Sequence, residues 1–422
     1  MARALIALGI MLASFFAFSP VRADEPGPEP KVQVEEPAPL ADPDDPPAPK
    51  EDDEFKPIEW GPKGLDIRSR DGNYHAHIDW RAQLRLTGSA FGAEGLVPDP
   101  ESREGRFAVN RARFKFGGHA YRPWLQYYLE FDFVTPALLD LRFTLKPSDA
   151  LEVRFGQWKF PYNRERVDSS GKQQFVERSV VNPFFTVDRQ QGLAVYGRLW
   201  KGRRADSWYN LAINSATGRG GDGTVERPMV LGRWQWNFLK RDLPFSQSDF
   251  AYRKPAASIA VAGATWRGPF TSFSTQGGGA LPGFPVGDED RYDVEQAVVE
   301  TAFQGGGLSW QQEYHWKRVE GTESGRVTEL QGYYLQAGYF FHALVKSFPR
   351  PLELAARWAE VDENTSIDAV DDRIQELTFA ANWFFAGHRN KLTLDFSFLD
   401  REAADPAQRR ERRLRLQWDV SF

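Results

Sequence analysis

From residue 74 onward the dominant period of the chain is two, apolar alternating with polar, and no stretch of the body shows a convincing helical period. Near the start Ile78, Trp80, Leu84 and Leu86 share one face, while His75, His77, Asp79, Arg81, Gln83, Arg85 and Thr87 share the other. In the middle Leu125, Tyr127, Leu129, Phe131 and Phe133 oppose Gln126, Tyr128, Glu130 and Asp132. At the end Leu414, Leu416, Trp418, Val420 and Phe422 alternate with Arg413, Arg415, Gln417, Asp419 and Ser421. Such alternation marks strands with one apolar and one polar face. The fold is therefore all-β: a soluble sandwich, a propeller or a membrane barrel.

Composition narrows the field. Aromatic residues make up 14% of the chain, yet its mean hydropathy is −0.53. A helical membrane bundle needs apolar runs of about 20 residues, and none is present in the body. With no cysteine there is no disulfide scaffold and no Cys-ligated metal. Disorder throughout is excluded by the 41% of hydrophobic residues.

Counting alternating segments gives about 16 antiparallel strands. They start near residues 75, 106, 123, 138, 150, 191, 207, 228, 256, 291, 307, 327, 351, 373, 391 and 411. An even count suits a bacterial single-chain barrel. If the first strand runs outward, the odd connectors are external, and most are long: Gly92–Glu104, Lys159–Gln190, Ser215–Arg227, Arg267–Asp290 and Asp400–Arg410. The even ones are mostly short, such as His119–Arg122 and Lys146–Asp149. Val134–Ala137 and Lys240–Pro255 break the pattern. Long outside and short inside is the asymmetry of outer-membrane barrels. A sandwich would have inward faces as apolar as these, so alternation alone leaves both folds open. The terminal Phe422, with apolar residues at every second position before it, resembles the C-terminal signature that outer-membrane assembly machinery recognises, and it points to an up-and-down transmembrane barrel.

Two segments precede the body. Residues 1–23 read as a secretory signal, with Arg3, an apolar stretch Ala4–Phe18 and a small-residue site at Val21-Arg22-Ala23. Residues 24–57 hold 10 prolines, 12 acids and 3 lysines, the composition of an extended, self-repelling linker. The net charge of −5 belongs to that linker, and residues 58–422, the barrel domain, sum to +2.

Little enzymatic chemistry is visible. His75 and His77 lie two apart on a strand, with only Asp79 nearby, and read as a lumen-facing polar pair rather than a metal site. Gly218–Gly223 matches GxGxxG but opens a loop, not a helix, so it carries no dinucleotide reading. No nucleophile–base set stands out, no cofactor is implied, and a body at +2 is not a nucleic-acid binder. Cations are the notable feature. Parity turns Arg81, Arg85, Arg111, Arg113 and Lys115 inward, and closure brings Arg413 and Arg415 beside them as one positive arc. Arg142 and Arg154 extend it. Asp79, Glu130, Asp132, Asp140, Glu152, Asp395 and Asp419 share the same faces. An anion-preferring wall and a mixed, salt-bridged wall without selectivity both remain open.

Phe107–Tyr128, FAVNRARFKFGGHAYRPWLQYY, resembles the phosphate-selective porin family (porin O and P type) of Gram-negative outer membranes. So does the block from Gly156, GQWKFPYNRERVDSSGKQQFVERS, through Asp188-Arg189-Gln190-Gln191-Gly192, together with Asn382-Trp383 and the last strand. The resemblance implies a homotrimer of 16-stranded outer-membrane barrels whose third loop folds inward to narrow each pore. It implies passive uptake of small anions, phosphate or polyphosphate, past arginines to a constriction. By position that constriction is Arg81, Arg111, Asp140, Arg166, Ser169 and Ser170, with Asp140 orienting Arg81 or Arg111. Two positions depart from the family pattern: Asn110 replaces an arginine, and Glu320 stands where lysines are expected. Both point toward a less positive site, and a general porin or a structural barrel is the alternative.

Overall fold

The computed structural model describes residues 55–92, 105–221, 227–284, 286, 291–362, 373–401 and 410–422. The expected export signal, the linker up to residue 54, and most of the connectors 92–104 and 400–410 lie outside these residues.

Two short strands, β1 (Ile58–Gly61) and β2 (Gly64–Arg68), form a hairpin. The barrel then begins with β3 (His75–Gly92), β4 (Arg106–His119), β5 (Leu125–Asp132), β6 (Ala137–Ser148) and β7 (Leu151–Lys159). It continues through β8 (Arg189–Leu199), β9 (Ser207–Asn214), β10 (Arg227–Trp236) and β11 (Ala256–Gly268). A separate hairpin, β12 (Ser272–Ser274) and β13 (Gly277–Gly279), occupies the next connector. The barrel resumes with β14 (Tyr292–Gly305), β15 (Leu308–Gly321), β16 (Val327–Tyr339) and β17 (Leu352–Asp362). It ends with β18 (Arg373–Ala386), β19 (Asn390–Arg401) and β20 (Arg410–Ser421).

Each barrel strand pairs antiparallel with the next, and β20 returns to β3 with Leu416 opposite Leu86 and Ser421 opposite Arg81. Trp80 and Phe422 complete the seam by exchanging both backbone hydrogen bonds, at 2.8 and 3.0 Å. Closure follows from the solvent, because lipid cannot satisfy the amides of an open edge. All 16 barrel strands start within two residues of the expected positions. Outward positions are large and exposed, Leu86, Phe107, Leu211, Phe379, Leu394, Leu414 and Trp418 among them.

The β1–β2 hairpin is not apparent from alternation, because its strands are too short to show a period. It continues the wall where β20 stops, with Leu65 opposite Ile78 and Arg68 opposite His75. Gly64 allows it (φ +123°), since a Cβ there would fall 2.1 Å from the Ile78 carbonyl oxygen.

The lumen departs from the expected polar face. On β10, β11, β14 and β16 the inward positions include Leu231, Ala262, Trp266, Val294, Val298, Leu330 and Tyr334, all buried. They form one apolar cluster with Phe160, Tyr162, Val181, Phe185 and Val187 of the connector 160–188. Part of the lumen is thus a packed core. Over these stretches the inner face is apolar as well as the outer, because one meets lipid and the other meets an inserted segment.

Candidate functional site

The connector 160–188 is apolar enough to be buried, and its two helical turns, Arg164–Val167 and Asn182–Phe185, turn the chain inside the barrel. Its polar groups find partners on the luminal faces of β15 and β17–β19. Asn163 Nδ2 donates to Glu313 at 2.9 Å, Gln174 Nε2 to Glu353 at 2.8 Å, and the Val180 and Val176 amides to Glu376 and Asp395 at 2.9 Å each. Those four carboxylates are 0–3% exposed. The opposite wall stays wet: Arg111, Lys115 and Arg142 side chains are 17%, 20% and 26% exposed. The solvent-reachable part of the lumen thus lies beside Arg111, Lys115 and Arg142 and at the facing edge of the connector, where Lys159, Glu177 and Arg178 are partly exposed, while Arg81, Gln83 and Arg85 of β3 are buried against that edge.

At that edge the Arg81 guanidinium donates to Ser169 Oγ at 2.9 Å and Ser170 Oγ at 2.7 Å. Among the described residues no carboxylate lies within 4.0 Å of it. Gln83 extends the contact, donating to the Ser170 carbonyl at 3.1 Å and accepting from Arg111 at 2.7 Å. Glu177 bridges Arg85 at 2.5 Å and Arg111 at 3.3 Å. Burial alone would raise the Glu177 carboxyl, but the Arg111 and Arg85 guanidinium groups hold it well below the usual range. Burial and the Arg166 charge lower Arg178 to about 9.

Of the expected constriction set, Arg81, Ser169 and Ser170 meet directly and Arg111 joins them through Gln83. Arg166 turns away, to Asp188 and to Thr275 Oγ1 at 2.6 Å. Asp140 orients neither Arg81 nor Arg111; it accepts from Arg189 Nε at 2.6 Å. Arg189 also reaches Glu130 and Asp188, at 3.7 and 3.8 Å, so it links Asp140 to Arg166. Arg189 is not apparent from alternation, because counting back from the inward Ala194 would turn it outward. Glu177 and Arg178 are equally overlooked, although both stand in the quoted block from Gly156.

The supporting cations divide. Arg113 binds Glu130 and Asp132 at 2.8 Å, Lys115 binds Asp79 at 2.7 Å, Arg413 binds Glu411 at 2.7 Å and Arg415 binds Asp395 at 2.9 Å. Arg142 and Arg154 lie instead against the rings of Tyr128 and Tyr196. His75 and His77 both contact Asp66 of β2, at 2.6 and 3.2 Å. Among the described residues no three His, Cys, Asp or Glu side chains are grouped to hold a metal. Asn110 is the extra residue of a β-bulge, since Gln83 pairs with Arg111 and Leu84 with Val109. Glu320 holds an outward position beside Arg318, at 2.6 Å, and so takes nothing from the luminal charge.

Comparison with known proteins agrees with the barrel. A family model described as phosphate-selective porin O and P matches residues 89–222 and 285–421, more than half of the chain. No curated protein matches significantly. Among solved structures, a loop L8 deletion mutant of OmpT, an outer membrane protein of Vibrio cholerae, aligns with a TM-score of 0.54 at 11% identity, over 82% of this chain and 99% of that one. An anion-selective porin from Comamonas acidovorans aligns with a TM-score of 0.53 at 11% identity, over 82% and 99%. The outer membrane channel DcaP of Acinetobacter baumannii gives 0.52 at 12% identity, over 84% and 99%. At these identities the likeness concerns the fold alone.

Proposed function

The chain belongs to the phosphate-selective porin O and P family, an outer-membrane channel rather than an enzyme, and from that premise we propose that it passes small anions, phosphate among them, by passive diffusion. The route is the wet side of the lumen. Arg81, Ser169, Ser170 and Arg111 form the selective constriction, and Arg166 and Asp140 act from behind it through Arg189. Residues 1–23 serve export, 24–57 serve as a tether, Phe422 is read by the assembly machinery, and the working unit is a homotrimer.

One observation carries this reading: the Arg81 guanidinium is fixed by two hydroxyls and, among the described residues, by no carboxylate within 4.0 Å, so no direct ion pair cancels its charge. Guanidinium stays ionised and offers paired donors suited to phosphate oxygens. In a narrow pore the sign of such fixed charge sets ion preference. A weakly selective general porin is the second reading, favoured by the carboxylate partners of Arg113, Lys115, Arg413 and Arg415. Reversal potentials in planar bilayers under a KCl gradient separate the two. Anion preference with block by added phosphate is expected. A reversal potential near zero supports the general porin, and cation preference overturns both the anion reading and the role of Arg81.

A further inference from the structure

On the periplasmic side of the constriction, β3–β7 enclose a cavity of about 280 Å³. The geometry points to a second site there, specific for a small organic phosphate, with Arg142 and Arg154 gripping the phosphate and the neighbouring rings holding the organic part. This inference rests on the anion-channel reading.

Two guanidinium groups line this cavity without a close carboxylate partner. Among the described residues Arg142 reaches one carboxylate, at 3.9 Å, on Asp140, whose other oxygen is taken by Arg189. Arg154 donates to Thr144 Oγ1 at 3.2 Å and to the Tyr196 hydroxyl, and no carboxylate lies within 4.0 Å of it among the described residues. Arg113 and Lys115, nearer the constriction on the same side of the lumen, are both paired with acids.

The guanidinium planes are also fixed in place. Arg142 lies 4.5 Å over the Tyr128 ring and Arg154 lies 4.6 Å over the Tyr196 ring. Contact with a ring occupies the face of a guanidinium and leaves edge N–H donors for phosphate oxygens: the whole fork of Arg142, and Nη1 of Arg154, whose Nε and Nη2 already donate to Thr144 and Tyr196. Arg142 pairs in register with Gly156, and Thr144 with Arg154. The two arginines are therefore diagonal neighbours on one face, with Cα atoms about 7–8 Å apart, a span that one phosphate group bridges.

Size and lining set the ligand class. The volume is several times that of a tetrahedral oxyanion and just below the roughly 300 Å³ at which small-molecule pockets begin. Tyr128, His75 and His119 line the remaining wall, with the two imidazoles 5.5 Å apart. Gly117 lets the Tyr128 ring lie close against β4, because a Cβ there would stand 3.0 Å from Tyr128 Cδ2. Inorganic phosphate would use the arginines and leave the rings uncovered, whereas a phosphate ester covers both.

The test compares block of single-channel current by phenyl phosphate and by inorganic phosphate, added from the periplasmic side. In the wild type, phenyl phosphate is expected to half-block at about a tenfold lower concentration, the equivalent of one added favourable contact. The double variant Arg142→Ala, Arg154→Ala should bring the ratio of the two half-blocking concentrations to about one, while Arg142→Lys, Arg154→Lys, which keeps the charge and assembly but loses the stacked fork, should fall between. Arg81→Ala should weaken block by both ions alike. A wild-type ratio near one, or a ratio that survives the double alanine variant, overturns this site and leaves the anion channel standing. A cation-preferring wild type instead overturns the reading beneath it.

Discussion

Gln247 donates its backbone N–H to the carbonyl oxygen of Lys172 at 3.0 Å, joining two connectors that enter the barrel from opposite ends. Its side chain accepts from the Gln174 amide at 2.9 Å. Nearby, Arg164 donates to the Pro244 carbonyl at 2.9 Å and lies 4.7 Å over the Phe245 ring. The connector between β10 and β11 is long for a periplasmic turn because it is a prop. Ser248 anchors it to Glu353 at 2.8 Å, and Asp249 accepts from the Gly307 amide at 2.9 Å.

Removing the prop should loosen the connector 160–188 without opening the barrel. Gln247→Ala leaves a buried amide at Gln174 without its acceptor, a loss of about 1–3 kcal/mol. With Phe245→Ala added, single-channel current should rise and become noisier, while ion preference remains because Arg81 stays in place. Unchanged current and noise would show that the prop does not hold the connector.

A second prediction concerns the seat itself. The β16 wall is bare at Gly332, where a Cβ would come 2.6 Å from Phe185 Cε2 and 3.2 Å from Val181 Cγ1. Overpacking of this kind costs about 1–3 kcal/mol. Gly332→Val should displace the connector and raise conductance, with Gly332→Ala intermediate. Gly268→Ala, where a Cβ meets nothing within 4 Å, should change neither. Equal conductance in all three variants would refute the seat.

How far the sequence discloses this arrangement depends on local period. Strand positions and the inward turn of Arg81 are legible, because alternation is a two-residue property that neighbours impose on each other. The packed half of the lumen is not. Ala262, Ala264 and Trp266 look like part of a doubly apolar strand, and the inserted cluster that includes Phe185 and Val181 explains what covers them. The partner of Asp140 is hidden for a related reason: Arg189 departs from the parity of its own strand where the connector enters it. Side-chain pairing across a lumen is a tertiary fact that no period encodes.

Acidity should tighten the seat. Burial, opposed by Arg357 and reinforced by Glu313, pushes the Glu165 carboxyl up to about 7, and burial pushes Asp168 up to about 6 against Arg164 and Gln311. Between the ordinary carboxylate range and these values the seated connector holds protons that the released one gives up. Its stability is therefore full below about pH 4.5 and declines as pH rises toward 7, by at most about 3 kcal/mol for Glu165. Proteolysis within residues 160–188 should be faster at pH 8 than at pH 5, and Glu165→Gln should flatten that difference. Slower cleavage at pH 8 would reverse the sign and refute the account.

Arg81 and Arg113 face each other in register on β3 and β4, yet their removal should have different consequences. Arg113 is cancelled by Glu130 and Asp132, so Arg113→Ala strands two buried carboxylates and should destabilise the barrel by about 3–5 kcal/mol, seen as a lowered melting temperature. Among the described residues Arg81 donates to hydroxyls and to no carboxylate, so Arg81→Ala strands no paired charge and should cost less stability, while shifting the reversal potential in a KCl gradient toward zero. The double variant Ser169→Ala, Ser170→Ala separates charge from position. It keeps the cation, so preference for chloride over potassium should persist, but it frees the guanidinium to wander and removes two donors, so block by phosphate should weaken about tenfold. If Arg81→Ala leaves the reversal potential where it was, selectivity lies elsewhere on the wet wall, and Arg111 becomes the next residue to replace.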